Sequence, residues 1–342
     1  MRFDELMSFV YGQGGQALGE HQPTHAARDE KIVRAAMAAL RQQLASHAGG
    51  PTEVPGLGRF KPRPTPPDAP ADAPLRWIFE PEAADHAAKA WRKALRTVER
   101  PLIHPERKFV VLFSAKSACS TVVIWFLHTL GLAAQAREFS EWPHHYRINK
   151  YYAREDYLQA REELGPDDVT LLRVVRDPVD RAGSSFRHAL GLSYARDTIR
   201  EKLGIDTDVD GLSFERFIDF LEMEDLDRCD PHHKRQRHLI EDLKRPDFII
   251  NASRKDLFTE LNHFERMMGM PETDFKALSW VHELQATRVP HSVAHGGDSY
   301  RAVLTREHAQ KGPWPKDLIT PEARARLERL YAQDIASYAV TP

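Results

Sequence analysis

Lys116 sits in a run of small and hydroxyl-bearing residues, Ser114-Ala115-Lys116-Ser117-Ala118-Cys119-Ser120-Thr121. That combination suits a tetrahedral anion. The lysine supplies a point charge, the hydroxyls are donors, and the small side chains let backbone N–H groups come close. The flanks say how such a loop is held. Ahead of it, Phe109-Val110-Val111-Leu112-Phe113 is short and apolar enough for a buried parallel strand. Behind it, Val122-Val123-Ile124-Trp125-Phe126-Leu127 continues to Leu130 and stops at Gly131, a helix with a glycine at its C-terminus. A strand that runs through such a loop into a helix aims N–H groups and the helix dipole at one point, which makes this a phosphate or sulfate site. The glycines and terminal lysine of a G-x-x-x-x-G-K-[ST] loop are not there, because here the lysine comes first.

A second charged group follows a second strand. Residues 169–175 are an apolar run, Arg176-Asp177-Pro178 is a turn signal, and residues 179–190 read as a helix. An arginine at the strand's end and Ser184 two turns into the helix can close on one phosphate, one as a charged fork and the other as a hydroxyl donor. An i,i+4 ion pair between Asp177 and Arg181 would by itself be worth only ~0.2–0.5 kcal/mol.

The lysine-first loop resembles the 5′-phosphosulfate loop of sulfotransferases that use 3′-phosphoadenosine 5′-phosphosulfate (PAPS). It looks closest to the carbohydrate branch, whose loops read like K-x-x-C-S/T-S/T. Residues 176–187 resemble the 3′-phosphate motif of the same enzymes, R-D-P-x-x-R-x-x-S-x-[YF]-R. Two further passages are similar to the family. One holds Asp230, His232 and Gln236, then a strand near 247–251, a helix over 256–268 and Gly269-Met270-Pro271. The other, Gln310-Lys311-Gly312-Pro313-Trp314-Pro315, is like a K-G-x-x-x-P nucleotide-covering loop with a middle one residue shorter. The resemblance covers roughly residues 105–340.

It implies an α/β fold, a P-loop-NTPase-like parallel sheet flanked by helices, with PAPS as co-substrate and no metal. Lys116 would meet the leaving 5′-phosphate, and Ser117, Ala118, Cys119, Ser120 and Thr121 would cradle the phosphosulfate. Arg176 and Ser184 would hold the 3′-phosphate, and covering the nucleotide would fall to Lys311 and Gly312. Family members place a basic histidine or glutamate between the two phosphate motifs. His145 is the first choice here and His144 the second, with His232 and Glu141 as alternatives. A histidine near its ordinary pKa of ~6.5 suits proton removal at neutral pH. Cys119 reads as packing rather than as a nucleophile. The acceptor would be a hydroxyl on a carbohydrate or glycolipid. Two rival functions stay open: a P-loop-type kinase using ATP, and a non-catalytic binder of PAPS or 3′,5′-ADP.

The chain's 342 residues allow one large α/β domain plus an extension. Residues 1–50 look like a helical extension that could carry a homodimer contact. Residues 51–75 are a proline-rich linker or arm, 76–100 a packing helix, and 101–342 the catalytic domain. A net charge of −2 argues against a dedicated nucleic-acid binder. No apolar run approaches the ~18 residues of a transmembrane helix, and the N-terminal residues lack the pattern of a secretory leader. Two cysteines, Cys119 and Cys229, make neither a disulfide framework nor an obvious zinc set, and a cytoplasmic location fits them.

Overall fold

The computed structural model describes residues 52–54, 58–62, 77–81, 83–97, 99–192, 194–286, 292–293, 298–312 and 314–338. The expected helical extension over 1–50, with its dimer contact, lies outside them. The chain divides into two compact units, Met1–Lys89 and Ala90–Pro342. In the first, β1 (Thr52–Val54), β2 (Gly58–Pro62) and β3 (Trp77–Pro81) form an antiparallel sheet in that order. Two of these strands, β1 and β2, fall inside the proline-rich stretch read as a linker or arm, and β2 ends on Pro62, opposite Trp77 of β3. Helix α1 (Ala83–Leu95) is shorter than the packing helix expected over 76–100, because β3 takes the first part of that span.

The second unit carries a mostly parallel four-stranded sheet in the order β4 (Leu102–His104), β5 (Phe109–Phe113), β6 (Thr170–Val175), β7 (Phe248–Asn251). Strand β4 is antiparallel to β5, while β5, β6 and β7 run parallel, with Val111 beside Leu172 and Leu172 beside Phe248. The three parallel strands are the apolar runs of the sequence; the interior positions of β5 and β6 are buried, as strands covered on both faces require, while β7 at the edge is half-buried over Phe248 and Ile249. Helix α2 (Cys119–Thr129) leaves β5 and is buried from Ser120 through Leu127. It ends in a Schellman turn: Gly131 takes φ 70, its N–H reaches His128 O at 2.9 Å, and Leu132 N reaches Leu127 O at 2.7 Å. From inside, Trp125 Nε1 donates to the buried Glu265 carboxylate at 2.8 Å, which also accepts from Thr273.

Helices fill the connection from β5 to β6 and follow β6: α3 (Ala133–Phe139), α4 (Pro143–Asn149), α5 (Glu155–Glu163) and, after β6, α6 (Pro178–Leu192). The helix expected over 151–164 opens instead with a 3-10 turn at Tyr151–Ala153, and Arg154 is extended before α5 begins. The tyrosines explain it. Tyr151 and Tyr152 donate to Ile103 O and Arg100 O, each at 2.6 Å, which pins the turn to the entry of β4. Further on come α7 (Arg196–Leu203), α8 (Phe214–Glu222), α9 (Leu257–Met267) and α10 (Ser279–Ala286). A small parallel pair, β8 (Ser292–Val293) with β9 (Trp314–Pro315), brackets α11 (Arg306–Lys311). The closing helix divides into α12 (Pro321–Leu330) and α13 (Ala332–Tyr338). Tyr331 sits at the break, buried, its hydroxyl donating to His233 O at 2.6 Å.

Two apolar cores result. One joins β4–β7 to α2, α5, α9 and α10 through residues such as Phe109, Trp125, Tyr157 and Phe264. The other joins α6, α8 and α12 through Phe186, Phe217 and Leu327. Each such buried side chain is worth ~1.5–3 kcal/mol over leaving it exposed. Strands β5 and β6 are parallel neighbours, so both charged loops leave the same edge of the sheet.

Candidate active site

The loop after β5 is bent by two non-glycine residues in left-handed conformation, Lys116 (φ 67) and Ala118 (φ 57). Each costs roughly 1–2 kcal/mol against right-handed backbone. Left-handed residues at alternate positions curl the loop's N–H groups toward one side, the arrangement that receives an anion. Ala118 is also the residue before α2, so the loop hands directly into a helix N-terminus. Ser117 is fully buried and turned away from the cavity; its Oγ donates to Gln236 Oε1 at 2.8 Å.

The loop after β6 is held differently. Asp177 caps α6, its Oδ1 accepting from Val179 N at 2.9 Å, and Pro178 opens the helix. Arg181 is fully buried and spends its guanidinium on three backbone carbonyls: Ala115 O at 2.9 Å, Lys234 O at 2.6 Å and Pro231 O at 2.9 Å. The motif's second arginine thus ties three segments together. Arg176 meets the first loop, Nη1 donating to Lys116 O at 3.3 Å. Burial pulls the Arg176 guanidinium below its ordinary value, and Asp180 and Asp177 pull it back up. It keeps its charge at neutral pH.

Gln236 joins the two loops. Its Oε1 accepts from Ser117 Oγ and from Arg176 N at 3.0 Å, and its Nε2 donates to Arg176 O at 2.8 Å. Its own N–H is taken by the buried Asp334 carboxylate on α13. Beneath them Arg173, also fully buried, donates to Ser114 Oγ at 2.9 Å and pairs with Glu241 at 3.2 Å. Residues 232–238 are drawn into the interior by these bonds. His233, Gln236 and His238 are buried in an irregular segment between the loops and the C-terminal helices.

Both loops open on one cavity of about 1530 Å³. Lys116, Ala118, Cys119, Ser120, Arg176 and Ser184 line it. A family model described as "Sulfotransferase family" matches residues 100–339, more than half of the chain. The chain belongs to the sulfotransferase family. It is thus an enzyme of a PAPS-dependent class, and its general reaction is sulfuryl transfer. No curated protein and no solved structure gives a match.

Within this sulfotransferase the sequence-predicted residues separate into those that reach the cavity and those that do not. Ser117 and Thr121 are buried behind the loop, and Lys311 and Gly312 are not on the cavity wall, where α11 contributes Ala309 and Gln310 instead. The reason is local: Gln310 Nε2 donates to Gly191 O at 2.9 Å, so α11 turns that face inward and leaves Lys311 in solvent. The histidine pair is also reordered. His145, the first choice, is exposed and bonded to Ser140, whereas His144 is buried on the cavity wall with Nε2 3.0 Å from Ser120 Oγ. The pair lies on α4, whose inner face is Pro143, His144 and Tyr146, so neighbouring histidines point opposite ways. Glu141 lines the cavity as well.

A second histidine group occupies the Ser184 side. His232 Nδ1 lies 2.7 Å from Asp230 Oδ1, and its ring packs tilted against His188 with centroids 4.3 Å apart. Burial alone would raise the Asp230 carboxyl, but the hydrogen bonds from His232 outweigh it and hold it below the usual range. His188, Trp142 and Arg147 line the cavity without having been singled out from the sequence. His188 had a signal, since it falls one turn after Ser184 on the same expected helix. The others had none, because α4 shows no readable period. No helix among the described residues is long and apolar enough to cross a membrane.

Proposed function

We propose that this sulfotransferase moves the sulfuryl group of PAPS onto a hydroxyl of a carbohydrate or glycolipid acceptor. What supports the nucleotide's place is the joining of the two anion loops: Gln236 bonds both, and Arg176 touches the Lys116 carbonyl. A nucleotide carrying phosphates at its 3′ and 5′ positions spans two such adjacent loops. The cavity exceeds the ~300–1,000 Å³ of an ordinary small-molecule pocket, which leaves room for an acceptor beside the nucleotide.

In this reading Lys116, the N–H groups of the loop and Ser120 receive the 5′-phosphosulfate. Arg176 and Ser184 receive the 3′-phosphate. The reaction is an in-line displacement with a loose transition state. The acceptor oxygen forms a bond to sulfur as the bond from sulfur to the bridging phosphate oxygen breaks. The bridging electron pair stays on 3′,5′-ADP, where Lys116 meets the charge that develops. The acceptor's proton passes to His144. That residue is favoured over the Asp230–His232 pair because its Nε2 contacts Ser120, inside the phosphosulfate loop, whereas His232 packs against His188 of the helix that carries Ser184. Trp142, partly exposed on the wall beside His144, offers an aromatic face to a sugar ring. A reducing, cytoplasmic setting suits two thiols that are both free.

Calorimetry with 3′,5′-ADP, with and without chelator, tests the nucleotide site. Binding that needs no added magnesium is expected. Undetectable binding at millimolar ligand sinks the proposal, and tight ATP binding that needs magnesium would favour a kinase. Labelled PAPS with a panel of glycans, glycolipids and small alcohols then names the acceptor; label transferred to none of the sugars removes the carbohydrate assignment.

A further inference from the structure

Away from the reaction centre, the irregular segment after α8 brings together three different kinds of metal donor. Glu224, Cys229 and His233 have ligand atoms that all lie within 4.8 Å of one another. The three come from ten consecutive residues, spaced E-x4-C-x3-H. His233 is 2% exposed. Its Nδ1 lies 3.1 Å from the Tyr194 hydroxyl, which is itself 3.0 Å from Ser185 Oγ. Its Nε2 is buried and has no hydrogen-bond partner.

A buried polar atom left without a partner is destabilising, so its retention needs a reason. Tyr194 supplies part of one. If the tyrosine accepts from Nδ1–H and donates to Ser185, the proton sits on Nδ1 and the lone pair on Nε2. An outer partner that fixes the tautomer in this way is the usual companion of a metal-bound histidine. Glu224 pairs with Lys202 at 2.5 Å, and Lys202 has a second partner in Met223 O at 2.8 Å that it keeps if a cation takes the carboxylate.

We propose that this segment binds a borderline divalent metal of the zinc type through the Glu224 carboxylate, the Cys229 thiolate and His233 Nε2, with a fourth position for water. Nitrogen, sulfur and oxygen donors together suit zinc, and carboxylate plus thiolate balance its charge. Binding is an exchange without redox: the sulfur–metal bond forms and the thiol proton leaves to solvent. Donor atoms in a tetrahedral site are roughly 3.3–3.8 Å apart, so side-chain rotations of about an ångström close the set. The metal would be a clasp rather than a reactant. The same segment carries the Pro231 and Lys234 carbonyls that hold Arg181, and Gln236, which joins the two loops.

Cobalt(II) titration of the chelator-stripped full chain provides the test, because cobalt reports its ligands in its spectrum. One ion per chain is expected, with a near-ultraviolet thiolate-to-cobalt band and the intense visible bands of a tetrahedral ion. The thiolate band should vanish in Cys229→Ser and persist in Cys119→Ser, and Tyr194→Phe should weaken binding roughly 10–100-fold. Should Cys229→Ser fail to fold, peptide mapping of thiol labelling in the unaltered protein decides: saturating zinc must protect Cys229 and leave Cys119 as reactive as before. Absence of stoichiometric binding, a thiolate band that depends on Cys119, or unprotected Cys229 overturns the site.

Discussion

The two loops proposed to hold the nucleotide's anionic groups leave neighbouring parallel strands, yet they are built on opposite plans. After β5 the backbone itself is bent, with Lys116 and Ala118 left-handed, and the donors offered are mostly peptide N–H groups at a helix start. After β6 no described non-glycine residue is left-handed; the helix is capped by Asp177, and the donors are side chains, Arg176 and Ser184. A strained, short-range cradle suits a group that changes during the reaction, because fixed dipoles can be aimed at charge that appears only in the transition state. A longer cationic arm suits a group that is merely held. One loop should therefore govern rate and the other affinity.

The largest effect should fall on the first loop's partner. His144→Ala is expected to lower kcat by about 10²–10⁴ while leaving 3′,5′-ADP affinity unchanged, with His145→Ala close to the unaltered enzyme. Steady-state kinetics beside calorimetry checks it. Normal turnover in His144→Ala with collapse in His232→Ala would move the base to the other side of the cavity. Next, Lys116→Ala should cost on the order of 10²–10³ in kcat, again with little change in nucleotide affinity. A raised Michaelis constant at unaltered kcat would make it an affinity residue and dissolve the contrast. Arg176→Ala should weaken 3′,5′-ADP by roughly one to two decades, from a charge-assisted bond of ~1.5–3 kcal/mol, and leave 5′-AMP nearly untouched. Equal losses for both ligands would mean that the loops' phosphates are assigned the wrong way round. The smallest effect is structural. Ala118→Gly should stabilise by about 0.5–1 kcal/mol, relief of left-handed strain exceeding the entropy a glycine adds to the unfolded chain. Ala182→Gly, inside α6, should destabilise by about 1 kcal/mol. Denaturant midpoints of the two variants moving the same way would show that the loops do not differ in strain.

How far the sequence carried follows from the length of its signals. The β5–α2 and β6–α6 units were legible because apolar runs, a glycine stop and an Asp-Pro turn mark strand, loop and helix within about twenty residues, and local pattern decides such units. The mostly parallel sheet and flanking helices followed from them. Helix α4 was not legible. Its seven residues mix proline, histidine, tyrosine and arginine, and too few turns exist for a period to emerge. Without a helix there was no phase, and without a phase nothing distinguished His144 from His145. Gln236 belonged to a recognised passage, but its bonds run to residues 60 and 119 positions away, and no local pattern encodes contacts of that range. The strands of the first unit were hidden by the prolines around them.

The junction of Gln236 with Asp334 has a consequence for how the enzyme is made. The acid that receives the Gln236 N–H lies 98 residues later in the chain. At about 5–20 residues per second of synthesis, it follows Gln236 out of the ribosome by roughly 5–20 s. Until then the strands and both loops exist without the peg that fixes their shared side chain. A nascent chain halted between α12 and α13 should hence keep much of its sheet and yet be unable to retain nucleotide, since the carboxylate that seats Gln236 arrives only with α13.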